Sequence, residues 1–69
     1  MSWNYRIVKN GKKGYYIKEV YYNEDNGKIE AFSEITEPYG ETIDDLKKDL
    51  EKMVKAFEKP VIELENEIW

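Results

Sequence analysis

Fifteen carboxylates and six tyrosines make up the reactive inventory of this 69-residue chain, which contains neither His nor Cys. Two carboxylates placed close together can serve as acid and base or cleave a glycosidic bond. A solvated surface accounts equally well for fifteen acids, and so short a chain leaves little room for a cleft of ~300 Å³ beside an intact core. A non-catalytic protein is therefore expected. The missing Cys and His exclude cysteine nucleophiles, Ser-His-Asp triads, zinc sites and CxxC redox pairs. Asn23-Glu24-Asp25-Asn26-Gly27 has the residue types of a calcium loop. With Gly27 at the sixth EF-hand position, however, the first ligand would be Tyr22, so a hairpin turn explains the segment better. Gly11-Lys12-Lys13-Gly14 does not satisfy GxxxxGK[ST], which leaves no phosphate cradle. No metal, nucleotide or other cofactor is expected.

Aromatic residues are the unusual feature, at 14% of the chain. Tyr and Trp combine a large apolar body with a polar tip and are favoured at protein interfaces. Tyr15, Tyr16, Tyr21, Tyr22, Phe32 and Trp69 form the candidate interaction surface, for a protein partner whose identity the sequence does not disclose. Aromatics beside Arg and Lys on a sheet also stack nucleobases, but the RNP pattern of such sheets is missing and the chain is acidic. Filling the edge of a core, with hydroxyls reaching water, is the plainer role for these tyrosines.

Charge is divided along the chain. Residues 1–18 hold Arg6, Lys9, Lys12, Lys13 and Lys18 and no acid, a local +5; residues 19–69 hold the fifteen acids and six bases, a local −9, for −4 in all. Net acidity argues against general nucleic-acid binding; a weak single-stranded nucleic-acid binder using the Tyr-rich sheet and the basic hairpin of residues 1–18 is the alternative of a different class. No apolar run reaches the ~20 residues of a membrane span, and no signal-peptide pattern opens the chain, so a cytoplasmic protein is expected. At 8.3 kDa the chain makes one small domain, residues 1–69.

The elements that must position these groups follow from periodicity. In residues 3–9, Trp3, Tyr5 and Ile7 alternate with Asn4 and Arg6, the period of a half-buried strand. Residues 10–14 read as a tight turn and residues 15–22 as a second strand. This strand has apolar residues on both faces: Tyr15, Ile17 and Tyr21 on one, Tyr16, Val20 and Tyr22 on the other. Either both faces are partly covered or a bulge shifts the register midway. Asn23 to Gly27 make a second hairpin loop, and residues 28–36 a third strand with Ile29, Ala31, Ser33 and Ile35 on one face. Pro38 and Gly40 end it.

Thr42 then caps a helix that Pro60 stops, with acids near its start and lysines near its end. Ile43, Leu46, Leu50, Met53 and Phe57, widened by Val54, form an apolar stripe that predicts packing on the sheet with Leu50 at its centre. The tail returns to period two, with Ile62, Leu64 and Ile68 on one face; it reads as a fourth strand or a docked extended segment.

The WNYR start, the Glu19-Val20-Tyr21-Tyr22 strand, Gly40-Glu41-Thr42 with Leu46, Asp49-Leu50 and Met53, and the Lys59-Pro60-Val61 ending resemble a group of small uncharacterised bacterial proteins. The resemblance spans nearly the whole chain. It implies a shared fold and carries no activity or site residues across. The strands followed by G-x-T and an amphipathic helix are also similar to HicB-type antitoxin domains, without the DNA-binding part those proteins usually carry.

The expected fold is α+β: a three- to four-stranded antiparallel sheet in β-β-β-α-β order, with one amphipathic helix packed on one face. The expected function is a small non-catalytic protein-interaction or regulatory module. An acidic inhibitor of phage or mobile-element type is the alternative within that class. Self-association as a homodimer through the sheet or the tail is a further expectation.

Overall fold

A computed structural model describes residues 2–34 and 36–69. Met1 and Ile35 lie outside the described residues, and with them the expectation that Ile35 shares a strand face with Ile29, Ala31 and Ser33. Strand β1 is Ser2–Asn10, β2 is Tyr15–Tyr22, β3 is Ile29–Phe32, helix α1 is Ile43–Val54 and β4 is Ile62–Leu64. The sheet order is β3-β2-β1-β4. The α+β class and the element order are those the periodicity indicates.

Strands β1 and β2 pair antiparallel without a slip, from Ser2 opposite Tyr22 to Lys9 opposite Tyr15. Gly11 and Gly14 take positive φ in the turn between them, where the Lys13 N–H donates to the Asn10 carbonyl. The Asn23 side chain accepts from the N–H groups of Asp25 and Asn26 and shapes the second loop.

The irregularity anticipated in β2 lies instead in its pairing with β3, where Tyr21 faces Ala31 and Tyr22 faces Ile29. Both faces of β2 are partly covered: Lys18 and Val20 are buried on one and Ile17 is half-buried on the other, while Tyr15 and Tyr16 at its start are exposed. Strand β3 is shorter than the 28–36 segment expected. The Ser33 N–H still reaches the Glu19 carbonyl, but the Ser33 hydroxyl takes the Glu19 N–H at 3.0 Å, so a side chain replaces the next ladder acceptor.

One expectation for the sheet is corrected. The sheet is mixed, because β4 runs parallel to β1, with Val8 opposite Ile62 and Asn10 opposite Leu64. The meander leaves β3 parallel to β1, and α1 reverses the chain once more. A helical crossover joins parallel strands, so β4 arrives in the direction of β1.

Thr42 is extended and its hydroxyl accepts the Asp45 N–H at 3.1 Å, as the sequence pattern indicates. A 3-10 turn over Lys55–Glu58 tightens the end of the helix before Pro60. The core is small. Val8 and Val20 are fully buried on one face of the sheet, Ile7 is buried on the other, and Met53 and Ala56 are the buried residues from the helix and its 3-10 extension.

The orientation of α1 corrects a second expectation. Leu50 is not central to the core but 50% exposed, while Ile43 and Phe57 are 84% and 69% exposed. Two hydrogen bonds to Asp49 anchor the helix in this rotation. The Tyr5 hydroxyl donates to Asp49 Oδ1 at 2.8 Å, and the Tyr39 N–H donates to Asp49 Oδ2 at 2.9 Å. Gly40 shapes the entry to the helix, its backbone lying against the Asp45–Leu46 backbone so closely that a Cβ would overlap it. At 100° per residue, Asp49, Met53 and Ala56 share the sheet-facing side, and the apolar stripe is turned roughly a quarter-turn away.

Candidate interaction surfaces

Alternation along the strands splits the six candidate residues between two faces. Tyr16 and Tyr22 share a face with Lys18 and Val20, and Phe32 sits opposite Val20 in the neighbouring strand. Trp69 closes over this face. Its ring lies 5.8 Å from that of Tyr16 and 5.6 Å from that of Phe32, and Lys18 Nζ sits 4.7 Å from the indole centroid. Tyr15 and Tyr21 belong to the opposite face. Tyr21 packs near Trp3 at 6.3 Å and donates to Glu19, whereas Tyr15 is largely exposed beside Lys9. Four of the six candidates are therefore brought together, and two are not.

Two polar residues hold the tail against the Trp69 face. Asn10 is fully buried; its Nδ2 donates to the Trp69 main-chain oxygen and its Oδ1 accepts from the Ile68 N–H, both at 2.9 Å. Lys18 is 5% exposed and donates to the Glu34 carbonyl at 2.6 Å. Lys13 adds a bond to the same Trp69 oxygen at 2.8 Å and lies 3.9 Å from Glu67. At Gly11, positive φ and the nearness of the Glu67 backbone both favour glycine, and its N–H donates to the Leu64 carbonyl.

The basic hairpin is thereby largely committed. Arg6 donates to the Tyr22 hydroxyl at 3.1 Å and the Pro60 carbonyl at 2.6 Å, leaving fewer of the five N-terminal cations free for an outside ligand. Sequence reading missed the roles of Asn10 and Lys18. The available signal was that both fall in phase with Val8 and Val20.

Two grooves flank α1. The first, about 420 Å³, is lined by Trp3, Asn4, Tyr5, Lys52, Lys55, Ala56 and Lys59, three cations and no acid. The second, about 470 Å³, lies between Tyr5 and Glu19 on the sheet and Asp45, Lys48 and Asp49 on the helix, closed at one end by Glu37 and Tyr39. In it the Tyr39 N–H and the Tyr5 hydroxyl hold the Asp49 carboxyl below its ordinary value. Burial, followed by the Asp49 bond, pushes the Tyr5 phenol well above its own. An acid held ionised by two donors is a structural acceptor, the reverse of the raised carboxyl that a general acid requires.

The apolar stripe is the remaining surface. Ile43, Leu46, Leu50, Val54 and Phe57 are all exposed along one side of α1 and its extension, and Lys47 and Glu51 border them. No helix among the described residues is long and apolar enough to cross a membrane. No family model, curated protein or solved structure matches the chain.

Proposed function

We propose that this protein is a small non-catalytic interaction module whose contact surface is the outer side of α1. The uncovered stripe Ile43–Leu46–Leu50–Val54–Phe57 carries the reading. Monomeric surfaces scatter apolar residues singly, whereas these five residues line one side of a helix and its extension, an arrangement of the kind that marks protein contact sites. Amphipathic helices dock through such i, i+3, i+4, i+7 anchors. The expected set of Tyr16, Tyr22, Phe32 and Trp69 has a different role in this reading: it fastens the tail and stiffens the platform beneath the helix.

The test compares capture from a bacterial lysate by the wild-type protein and by Leu50→Glu, with Lys12→Ala as a surface control. The proteins retained by both wild type and control are expected to be lost with Leu50→Glu, at unchanged circular dichroism. Equal retention by all three would refute the reading.

The cationic groove beside Trp3 supports a second reading, an anionic ligand that also stacks on an aromatic ring, as single-stranded nucleic acid does. Such binding falls steeply with salt, and Lys55→Ala with Lys59→Ala lowers the slope by about 2. Retention by the apolar stripe has little salt dependence, so titration with oligonucleotides at two ionic strengths separates the readings.

A further inference from the structure

We infer that the occupant of the α1 stripe is a second copy of this chain, docked as an antiparallel helix pair about a two-fold axis near Asp49 and Leu50. The inference deepens the interaction-module reading and names its partner.

Surface area is the first argument. A compact monomer of 8.3 kDa exposes about 4,600 Å². This chain exposes 5386 Å², an excess of roughly 800 Å², which is what one partner contributes to a standard-size interface. The stripe is where apolar surface is uncovered in one continuous line, and small domains gain most from extra burial.

The opposite face of the sheet does not offer the same opportunity. There Trp69 is seated on Tyr16, Phe32 and Lys18 of its own chain, and Asn10 fixes the main chain of the tail. Pairing through the sheet or tail, the route the sequence suggests, would first have to remove those contacts.

Charge order is the second argument, and it selects the orientation. Lys47 and Glu51 are exposed, one turn apart, on the solvent-side border of the stripe. In an antiparallel pair the same border of each helix meets itself in reverse. With the axis near Asp49, Lys47 faces Glu51 of the second copy, and Glu51 faces Lys47 of that copy. Leu50 then lies beside its own equivalent, and Ile43 enters between Val54 and Phe57 of the second copy. A parallel pair would set Lys47 against the opposite border, where Asp49 and Met53 already face the sheet. A two-fold contact of this kind is self-complementary and closes at two copies, so it does not propagate into fibres.

Sedimentation equilibrium from about 5 to 500 μM tests the pairing, with the mass expected to rise from 8.3 kDa to twice that value. Lys47→Glu alone and Glu51→Lys alone should each weaken the dimer about tenfold or more, because each places like charges opposite one another twice. The double exchange Lys47→Glu with Glu51→Lys should restore it. An equimolar mixture of the two single variants should associate more tightly than either alone.

A mass of 8.3 kDa throughout would overturn the inference, as would a dimer indifferent to both charge exchanges. The wider module reading is judged separately, by whether Leu50→Glu loses captured proteins, so failure of one is distinguishable from failure of the other.

Discussion

The two sides of the sheet bury opposite kinds of residue. On the tail side an amide and an ammonium, Asn10 and Lys18, are almost completely enclosed. On the helix side, five apolar residues of the most regular amphipathic segment remain in solvent. Hydropathy alone predicts the reverse. The difference shows that burial follows available partners: Asn10 finds a donor and an acceptor in the tail, whereas among the described residues the stripe buries Met53 but covers Leu46 and Leu50 only in part. A hydrogen-bonded polar contact is tolerated inside a small domain, and it specifies where the tail must lie.

Asn10→Ala gives the sharpest challenge to the tail side. It removes both side-chain bonds to the tail and leaves a void, and a loss of about 2–4 kcal/mol is expected in urea melts. Trp69 fluorescence should shift toward that of a solvated indole well before the global transition. Coincident transitions would show that the tail is not held by this amide.

Met53→Ala and Leu50→Ala probe the helix side. Met53 is buried at 4% exposure and should cost about 2–4 kcal/mol, whereas half-exposed Leu50 should cost no more than about 1 kcal/mol at concentrations where one copy is present. Equal losses would restore Leu50 to the core and reverse the assigned helix rotation.

Lys18→Met examines whether enclosure of the ammonium is needed for stability. Methionine keeps most of the stem beneath Trp69 and removes a buried charge, while the carbonyl of Glu34, an exposed residue, loses its ammonium donor. A change within about 1 kcal/mol is expected, measured by thermal melts. A much larger loss would mean that the Glu34 bond and the indole contact carry the fold.

The smallest effects concern pH and the anchor between Tyr5 and Asp49. Asp49 has a lowered folded value, so its contribution is fully present above the ordinary 3.8 and is lost as pH falls through the folded value. Tyr5 has a raised one, so its contribution is present below 10.0 and fades as pH rises beyond it. Denaturation midpoints should therefore fall less steeply on the acid limb in Asp49→Asn and on the alkaline limb in Tyr5→Phe. Unchanged slopes in both variants would remove this contact from the account of how the helix is oriented.

Local chemistry made much of this protein legible in its sequence. Gly11 and Gly27 supply the positive φ of their turns, Thr42 caps α1, Pro60 ends it, and period-two alternation in residues 3–9 marks β1. Each depends on neighbours a few residues away. The double-sided β2 signalled either partial cover on both faces or a bulge, and the structure has both, the register shift lying at Tyr21 and Tyr22 against β3.

Tertiary structure alone decided the rest, because the deciding partners are distant in sequence. Asn10 reaches Ile68 and Trp69, Lys18 reaches Glu34 and Trp69, and Tyr5 reaches Asp49. A helical stripe defines which side of α1 is apolar, but the rotation of α1 on the sheet follows the Tyr5–Asp49 bond, 44 residues apart, with the Tyr39 N–H holding the second carboxylate oxygen from the preceding loop. Strand direction followed the same logic, since β4 is parallel to β1 only because the meander and the helix together bring the chain back that way. Periodicity records the environment a segment is suited to, and the long-range contacts determine which environment it receives.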